Sequence, residues 1–126
     1  MAIQGLGIDI AQIDRIEKVF ARRGEPFLDR IFTPAERAYC DSQHARFTHY
    51  AGRFAAKEAA VKALGTSGQS GVRWLDIEVR RRTGATPWIE LHGATARIVA
   101  ARGLTGMHLA ITHDAGIASA VVVVEG

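Results

Sequence analysis

A chain of 126 residues can bury one core of ordinary size and is too short for two conventional domains, so a single domain over residues 1–126 is expected. Hydrophobic residues at 48% and charged residues at 23% exclude a disordered or fibrous chain, the single cysteine, Cys40, excludes an internal disulfide framework, and the longest wholly apolar run, Ala120 to Val124, is far too short to cross a bilayer. Sixteen Lys and Arg against thirteen acids give a formal net charge of +3, and no basic segment leads into an apolar one at the start, so a cytoplasmic protein with anionic partners is expected.

The run Ile3-Gln4-Gly5-Leu6-Gly7-Ile8-Asp9-Ile10 reads as a strand whose two glycines mark a close approach by another element. Ile13, Ile16, Val19 and Phe20 then recur at helical spacing until Gly24, while Arg15, Lys18 and Arg22 form a basic stripe opposite them. Thr33-Pro34-Ala35-Glu36 is a capping-box start for a second helix. A third, alanine-rich helix spans Arg46 to Leu64, with Gly65 placed to cap its end. A turn-forming stretch over residues 66–71 follows. Leu75, Ile77 and Val79 then alternate with Asp76, Glu78 and Arg80, which predicts a half-buried strand. Trp88 to His92 is a short strand, and Ala94 to Arg102 a helix closed by Gly103. Met107 to His113 and Ile117 to Glu125 are two strands joined in a hairpin at Asp114-Ala115-Gly116. Strands and helices mix without regular alternation, which predicts an α+β fold with an antiparallel sheet packed against the long central helix.

Within that helix Phe54, Glu58 and Val61 share a face, so Glu58 is expected to point inward and to need a partner. Lys62, one turn on, is one candidate; the other is a metal shared with Asp9 at the end of the first strand. Two carboxylates without a cysteine pair or a spaced histidine pair do not make a zinc site. They suit Mg²⁺, which takes one or two carboxylates and completes its octahedron with water and phosphate oxygens. Arg46, Arg53 and Lys57 return to one face of the same helix and could hold a phosphate, or simply form a solvated face, while Lys62 could hold a second phosphate.

Gly7-Ile8-Asp9-Ile10, the long run Arg53-Phe54-Ala55-Ala56-Lys57-Glu58-Ala59-Ala60-Val61-Lys62-Ala63-Leu64-Gly65-Thr66, and His108-Leu109-Ala110-Ile111-Thr112-His113-Asp114 together resemble the holo-[acyl-carrier-protein] synthases. These are the small, single-domain class of 4′-phosphopantetheinyl transferases, and the resemblance covers nearly the whole chain. It implies transfer of the 4′-phosphopantetheine group from coenzyme A to a serine hydroxyl of an apo acyl carrier protein, releasing adenosine 3′,5′-bisphosphate in support of fatty acid biosynthesis. By residue it implies Asp9 and Glu58 as metal ligands for Mg²⁺, with Mn²⁺ as a substitute. Lys62 is implied at the diphosphate, and Arg46, Arg53, Lys62, Gly65 and His113 at coenzyme A. Glu58, Lys62 and His113 are the implied catalytic group, and Arg15, Arg22 and Arg23 the residues that dock the carrier. The serine proton could go to a metal-bound water, to Glu58 or to a His113-Asp114 pair.

Of the remaining histidines, His44, His92 and His108 are expected in surface or packing roles; so is His49, although it stands one turn before Arg53 within reach of the same phosphate. His113 shares its strand face with Leu109 and Ile111, so a packed core histidine is the plain alternative for it. The resemblance further implies a homotrimer with sites at subunit contacts, and the last strand, apolar on both faces, fits such burial. Two departures from the family pattern stand out. Gly65-Thr66-Ser67-Gly68 replaces Gly-Thr-Gly, and Ala85-Thr86-Pro87 replaces Gly-Lys-Pro, removing a lysine near the nucleotide. A nucleic-acid-binding module is the rival of another class, but no aromatic residues interleave with the basic stripes. A metal-dependent phosphohydrolase using water in place of the serine is the second rival.

Overall fold

The computed structural model describes residues 2–65 and 71–126. In chain order the elements are β1 (Ile3–Gln12), α1 (Ile13–Arg23), α2 (Glu25–Ile31), α3 (Pro34–Asp41), α4 (Arg46–Leu64), a 3₁₀ turn (Trp74–Asp76), β2 (Ile77–Arg80), β3 (Trp88–Leu91), α5 (Gly93–Ala101), β4 (Gly106–Asp114) and β5 (Ile117–Glu125). The strands form two antiparallel sheets rather than one: a three-stranded sheet in the order β1-β5-β4, and a separate β2-β3 pair.

The α+β architecture follows from how α4 meets the larger sheet. Ala51, Ala55, Ala56, Ala59, Ala60 and Ala63 form its buried face, a strip of methyl groups that lets the helix axis come close. The strand answers with glycine. A Cβ added at Gly5 would lie 1.9 Å from the carbonyl oxygen of Ala63, and one at Gly7 would lie 1.9 Å from that of Ala59. Helix backbone therefore rests directly on strand backbone, the close approach that the two glycines predict.

Local signals set the helix ends. Thr33 Oγ1 accepts from the Glu36 N–H (3.2 Å) while Glu36 Oε1 accepts from the Thr33 N–H (2.8 Å), a complete capping box. Gly65 closes α4 in the left-handed conformation (φ 67°, ψ 28°). In the β4–β5 hairpin, Asp114 pairs with Ile117 across a two-residue turn in which Ala115 and Gly116 both have positive φ (51° and 79°), the primed geometry that suits strand twist.

Four expectations need correction. Helix α2 adds to the expected elements; it begins at Glu25-Pro26, an acid and a proline in the first turn, and carries Leu28 and Ile31 into the core. Leu75 and Asp76 belong to the 3₁₀ turn, so β2 starts only at Ile77, and its Glu78 is buried rather than facing solvent. The alternation breaks because Glu78 is held from two sides, by the Thr33 hydroxyl and by His92 Nε2 at 3.0 Å. Third, Phe54, Glu58 and Val61 lie on the half-buried flank of α4, beside the alanine face rather than on it. Fourth, Lys57 is no solvated cation: it is fully buried and donates to Glu36 Oε1 (2.8 Å), the Trp74 carbonyl (2.8 Å) and the Ile77 carbonyl (2.6 Å). Glu36 Oε2 in turn accepts from the Val79 N–H. Burial pulls the Lys57 ammonium below the ordinary lysine range, against the attraction of Glu36. This buried pair ties α3 and α4 to the smaller sheet. The expected loop over residues 66–70, with the shifted glycine at Gly68, lies outside the described residues.

Candidate active site

Strand register decides which side chains face α4. Asp9 is level with Ala120 and Ile111, and Ala11 with Ala118 and His113, so Asp9 and His113 both project from the helix side of the sheet, at its two edges. Around α4 the residues gather into two groups on different sides of the helix.

The first group is acidic. Lys62 Nζ donates to Asp9 Oδ1 (2.9 Å) and to the Ile8 carbonyl (3.1 Å), so the lysine pairs with Asp9 and not with Glu58. Glu58 lies one turn before Lys62 on the same flank, and its Oε1 accepts from Trp74 Nε1 at 2.8 Å. Each carboxylate keeps one oxygen without a protein donor among the described residues. The Asp9 side chain is 16% exposed and that of Lys62 50%, so the ammonium is open to an arriving anion. No group of three or more His, Cys, Asp or Glu suited to a metal occurs among the described residues. Two hard carboxylates beside a half-exposed lysine fit an ion that takes few protein ligands and fills its shell with water and phosphate oxygens, as Mg²⁺ does. Gly65 stands one turn beyond Lys62 at the exposed end of α4.

The second group is cationic. A cleft of about 610 Å³ is lined by His49, Arg53, Arg81, Thr86, Thr112 and His113, with Gly52 and Ile111 at its floor. Arg53 is only 4% exposed, lies over the Tyr39 ring at 4.1 Å, has no carboxylate partner among the described residues, and leaves its buried Nε without an acceptor. Burial first, then the positive charges of Arg53, His113 and Arg81, hold the His49 imidazole below its usual range. A cleft whose cations depress a neighbouring histidine and whose buried guanidinium lacks an acid is built to receive an anion.

His113 is exposed in this cleft and is not the packed core histidine that its strand position allows. Asp114, its neighbour on β4, points to the opposite face, so the two do not act as a pair. Arg46 is not in the cleft: it bonds Asp41 at 3.1 Å and sits over Phe20 and Phe47. His49, Arg81 and Thr86 complete the polar lining of the cleft. For Arg81 the sequence signal is only the run Arg80-Arg81-Arg82 at the end of β2, and for Thr86 it is the turn-forming stretch up to Pro87.

On α1, Arg15, Lys18 and Arg22 line one exposed patch that Arg23 does not join. Arg15 also borders an apolar cleft of about 480 Å³ formed by Ile16, Val19, Phe27, Phe54 and Ile117.

Comparison with known proteins gives the same answer at three levels. The family model of the 4′-phosphopantetheinyl transferase superfamily matches residues 5–113. The holo-[acyl-carrier-protein] synthase of Anaeromyxobacter dehalogenans is 53% identical over 127 residues, covering 98% of this chain and 97% of that protein. That of Myxococcus xanthus is 50% identical over 126 residues, covering 99% and 97%. Among solved structures, the Neisseria meningitidis holo-[acyl-carrier-protein] synthase superposes with a TM-score of 0.92 at 29% identity, covering 99% of this chain and 100% of that one. The Helicobacter pylori enzyme in complex with coenzyme A gives 0.81 at 35% identity, covering 95% and 99%.

Proposed function

The chain belongs to the 4′-phosphopantetheinyl transferase superfamily, and on that premise we propose that it is a Mg²⁺-dependent holo-[acyl-carrier-protein] synthase, moving 4′-phosphopantetheine from coenzyme A to a serine of an apo carrier. The observation that carries this reading is the buried Arg53 guanidinium without an acid partner, set in a cation-walled cleft. A nucleotide phosphate of coenzyme A supplies the missing anion, held by Arg53 and Arg81 with His49 and His113 beside them.

In the transfer, the serine oxygen bonds to the β-phosphorus, the bond from that phosphorus to the oxygen of the adenosine phosphate breaks, and the serine proton passes to water. Asp9 and Glu58 would hold Mg²⁺ through their free oxygens, and the ion would supply positive charge to offset that of the diphosphate. Lys62 turns from Asp9 to the oxygen that leaves, where its positive charge offsets the charge that develops. Arg15 and Arg22, with Lys18 between them, steer an acidic carrier surface, and the apolar cleft beside Arg15 accepts the apolar flank of an amphipathic partner helix.

Two features support a homotrimer with shared sites. The face of the sheet away from α4 exposes Leu6 (65%), Ile8 (63%) and Ile10 (65%) beside Val121 and Val123, an apolar patch that a second copy would cover. Arg53 and Glu58 are also five residues apart, about 140° around α4. The cationic cleft and the acidic group of one protomer thus lie on different sides of the helix, and pairing the cleft of one copy with the carboxylates of the next would assemble a whole site.

Intact mass spectrometry of an apo acyl carrier protein incubated with the protein, coenzyme A and Mg²⁺ tests the activity. A metal-dependent gain of one phosphopantetheine group is the expected result. No gain with several carriers would overturn the proposal, and release of phosphopantetheine without a carrier would mark a phosphohydrolase instead.

A further inference from the structure

Lys57 and Trp74 form a chain of contacts that ends on Glu58. The fully buried Lys57 donates to the Trp74 carbonyl at 2.8 Å, fixing the backbone where the 3₁₀ turn begins. The Trp74 ring packs against Phe54, with centroids 6.1 Å apart, and its Nε1–H reaches Glu58 Oε1 at 2.8 Å. Phe54 and Glu58 are one helical turn apart on the same flank of α4. The indole is therefore held at its backbone and across its ring, and it presents its single donor to one oxygen of a half-buried carboxylate.

A glutamate side chain has three rotatable bonds, and an ion that demands near-ideal octahedral geometry gains from a ligand already in place. One oxygen bound to a rigid donor leaves the other aimed and available, the arrangement by which outer-shell partners orient metal ligands. We propose that Trp74 is the positioning residue for Glu58, its indole N–H holding Oε1 so that Oε2 faces the site of the divalent cation. This rests on the Mg²⁺ reading of Asp9 and Glu58 given above. It also makes Trp74 a built-in optical probe of that site, since the only other tryptophan, Trp88, lies on β3 against Arg82.

Two measurements test it on the full-length protein with saturating coenzyme A and no carrier, so that no turnover occurs. In the first, Mg²⁺ is titrated by calorimetry into the unaltered protein, Trp74→Phe and Glu58→Gln. Phe keeps an aromatic ring against Phe54 while removing the donor and part of the ring's bulk. Trp74→Phe is expected to weaken Mg²⁺ binding by about 10-fold or more, with metal-free coenzyme A affinity unchanged. In the second, Trp88→Phe leaves Trp74 as the sole indole, untouched in its own surroundings. Its emission is expected to change saturably with Mg²⁺ and to be silent once Glu58→Gln is added. If Trp74→Phe binds Mg²⁺ like the unaltered protein, or if Trp74 emission ignores bound Mg²⁺, the positioning role is overturned while the metal reading stands. If the unaltered protein binds no Mg²⁺, or Glu58→Gln binds it normally, the metal reading itself fails and the proposal with it.

Discussion

Gly7→Ala is the substitution that most directly tests how the fold builds the site. The added Cβ would stand 1.9 Å from the Ala59 carbonyl oxygen and 2.7 Å from the Ala63 nitrogen, where ordinary contact begins at 3.4 Å, so strand and helix must separate locally by about 1.5 Å. Both obstacles are backbone, and no side chain can turn aside. Overpacking of this kind costs roughly 1–3 kcal/mol, and the upper part of that range is expected here. At about 2.1 cal/mol/K of unfolding entropy per residue, a chain of 126 residues loses about 4 °C per kcal/mol, which gives a fall of about 8–12 °C. The displacement also separates Asp9 on β1 from Glu58 and Lys62 on α4, and misplacement of about 1 Å can cost about 100-fold in rate. Scanning calorimetry at fixed protein concentration, because self-association would make the midpoint concentration-dependent, and the carrier-modification assay check the two effects. Gly52→Ala is the control: its Cβ would meet only the Ile111 Cγ2 methyl at 3.0 Å, a side chain that can move, so its midpoint should fall by less than half as much. A Gly7→Ala protein with unaltered midpoint and rate would refute the backbone-on-backbone packing of β1 and α4.

Arg53→Met should raise the KM for coenzyme A about 10-fold, the loss of one charge-assisted interaction, while leaving the ligand-free thermal midpoint unchanged or higher because a buried cation without an acid has been removed; a midpoint lowered by several degrees would show Arg53 to be structural. Glu36→Gln should destabilise by about 3 kcal/mol by stranding the buried Lys57 ammonium, Lys57→Met should also destabilise, and in urea unfolding the double variant should cost at least about 1 kcal/mol less than the two singles together; strict additivity would deny their coupling. Because burial and the cations Arg53, His113 and Arg81 hold His49 below its usual 6.5, an anion in the cleft should raise it. Coenzyme A binding should therefore take up protons near pH 6.5, seen as a calorimetric heat that varies with buffer ionisation and shrinks in His49→Gln. The ligand-free fold should correspondingly lose part of its stability as pH falls below 6.5, since the unfolded imidazole protonates first. A binding heat independent of buffer would contradict this.

Signals carried by neighbouring residues were readable in the chain. Thr33 to Glu36, Gly65, and the helical periods of α1 and α4 each rest on local rules, and Gly5 and Gly7 foretold a close approach without saying what approached. What the sequence hid depends on tertiary partners. Helical spacing places Glu58 with Phe54 and Val61, but which flank of α4 is deepest depends on where the sheet lies, and the alanines took that face. Lys57 looks solvated until Glu36, 21 residues earlier, is brought beneath it. Trp74 stands just before the strand predicted from Leu75, and only the 3₁₀ turn aims its indole at Glu58. Arg81 becomes a cleft residue through the path of the chain from β2 to β3, for which it carries no periodic signature.

The angular separation of Arg53 from Glu58 on α4 has a genetic consequence under the proposed assembly. A variant dead through Glu58 keeps an intact nucleotide cleft, and one dead through Arg53 keeps intact carboxylates. Mixed in one ring, they would regenerate complete sites wherever the two meet in the right order, about a quarter of all contacts for random equal mixing. Alleles of this gene would then fall into two classes that rescue each other between classes and never within one, one class mapping to the carboxylate side of α4 and the other to its cationic cleft.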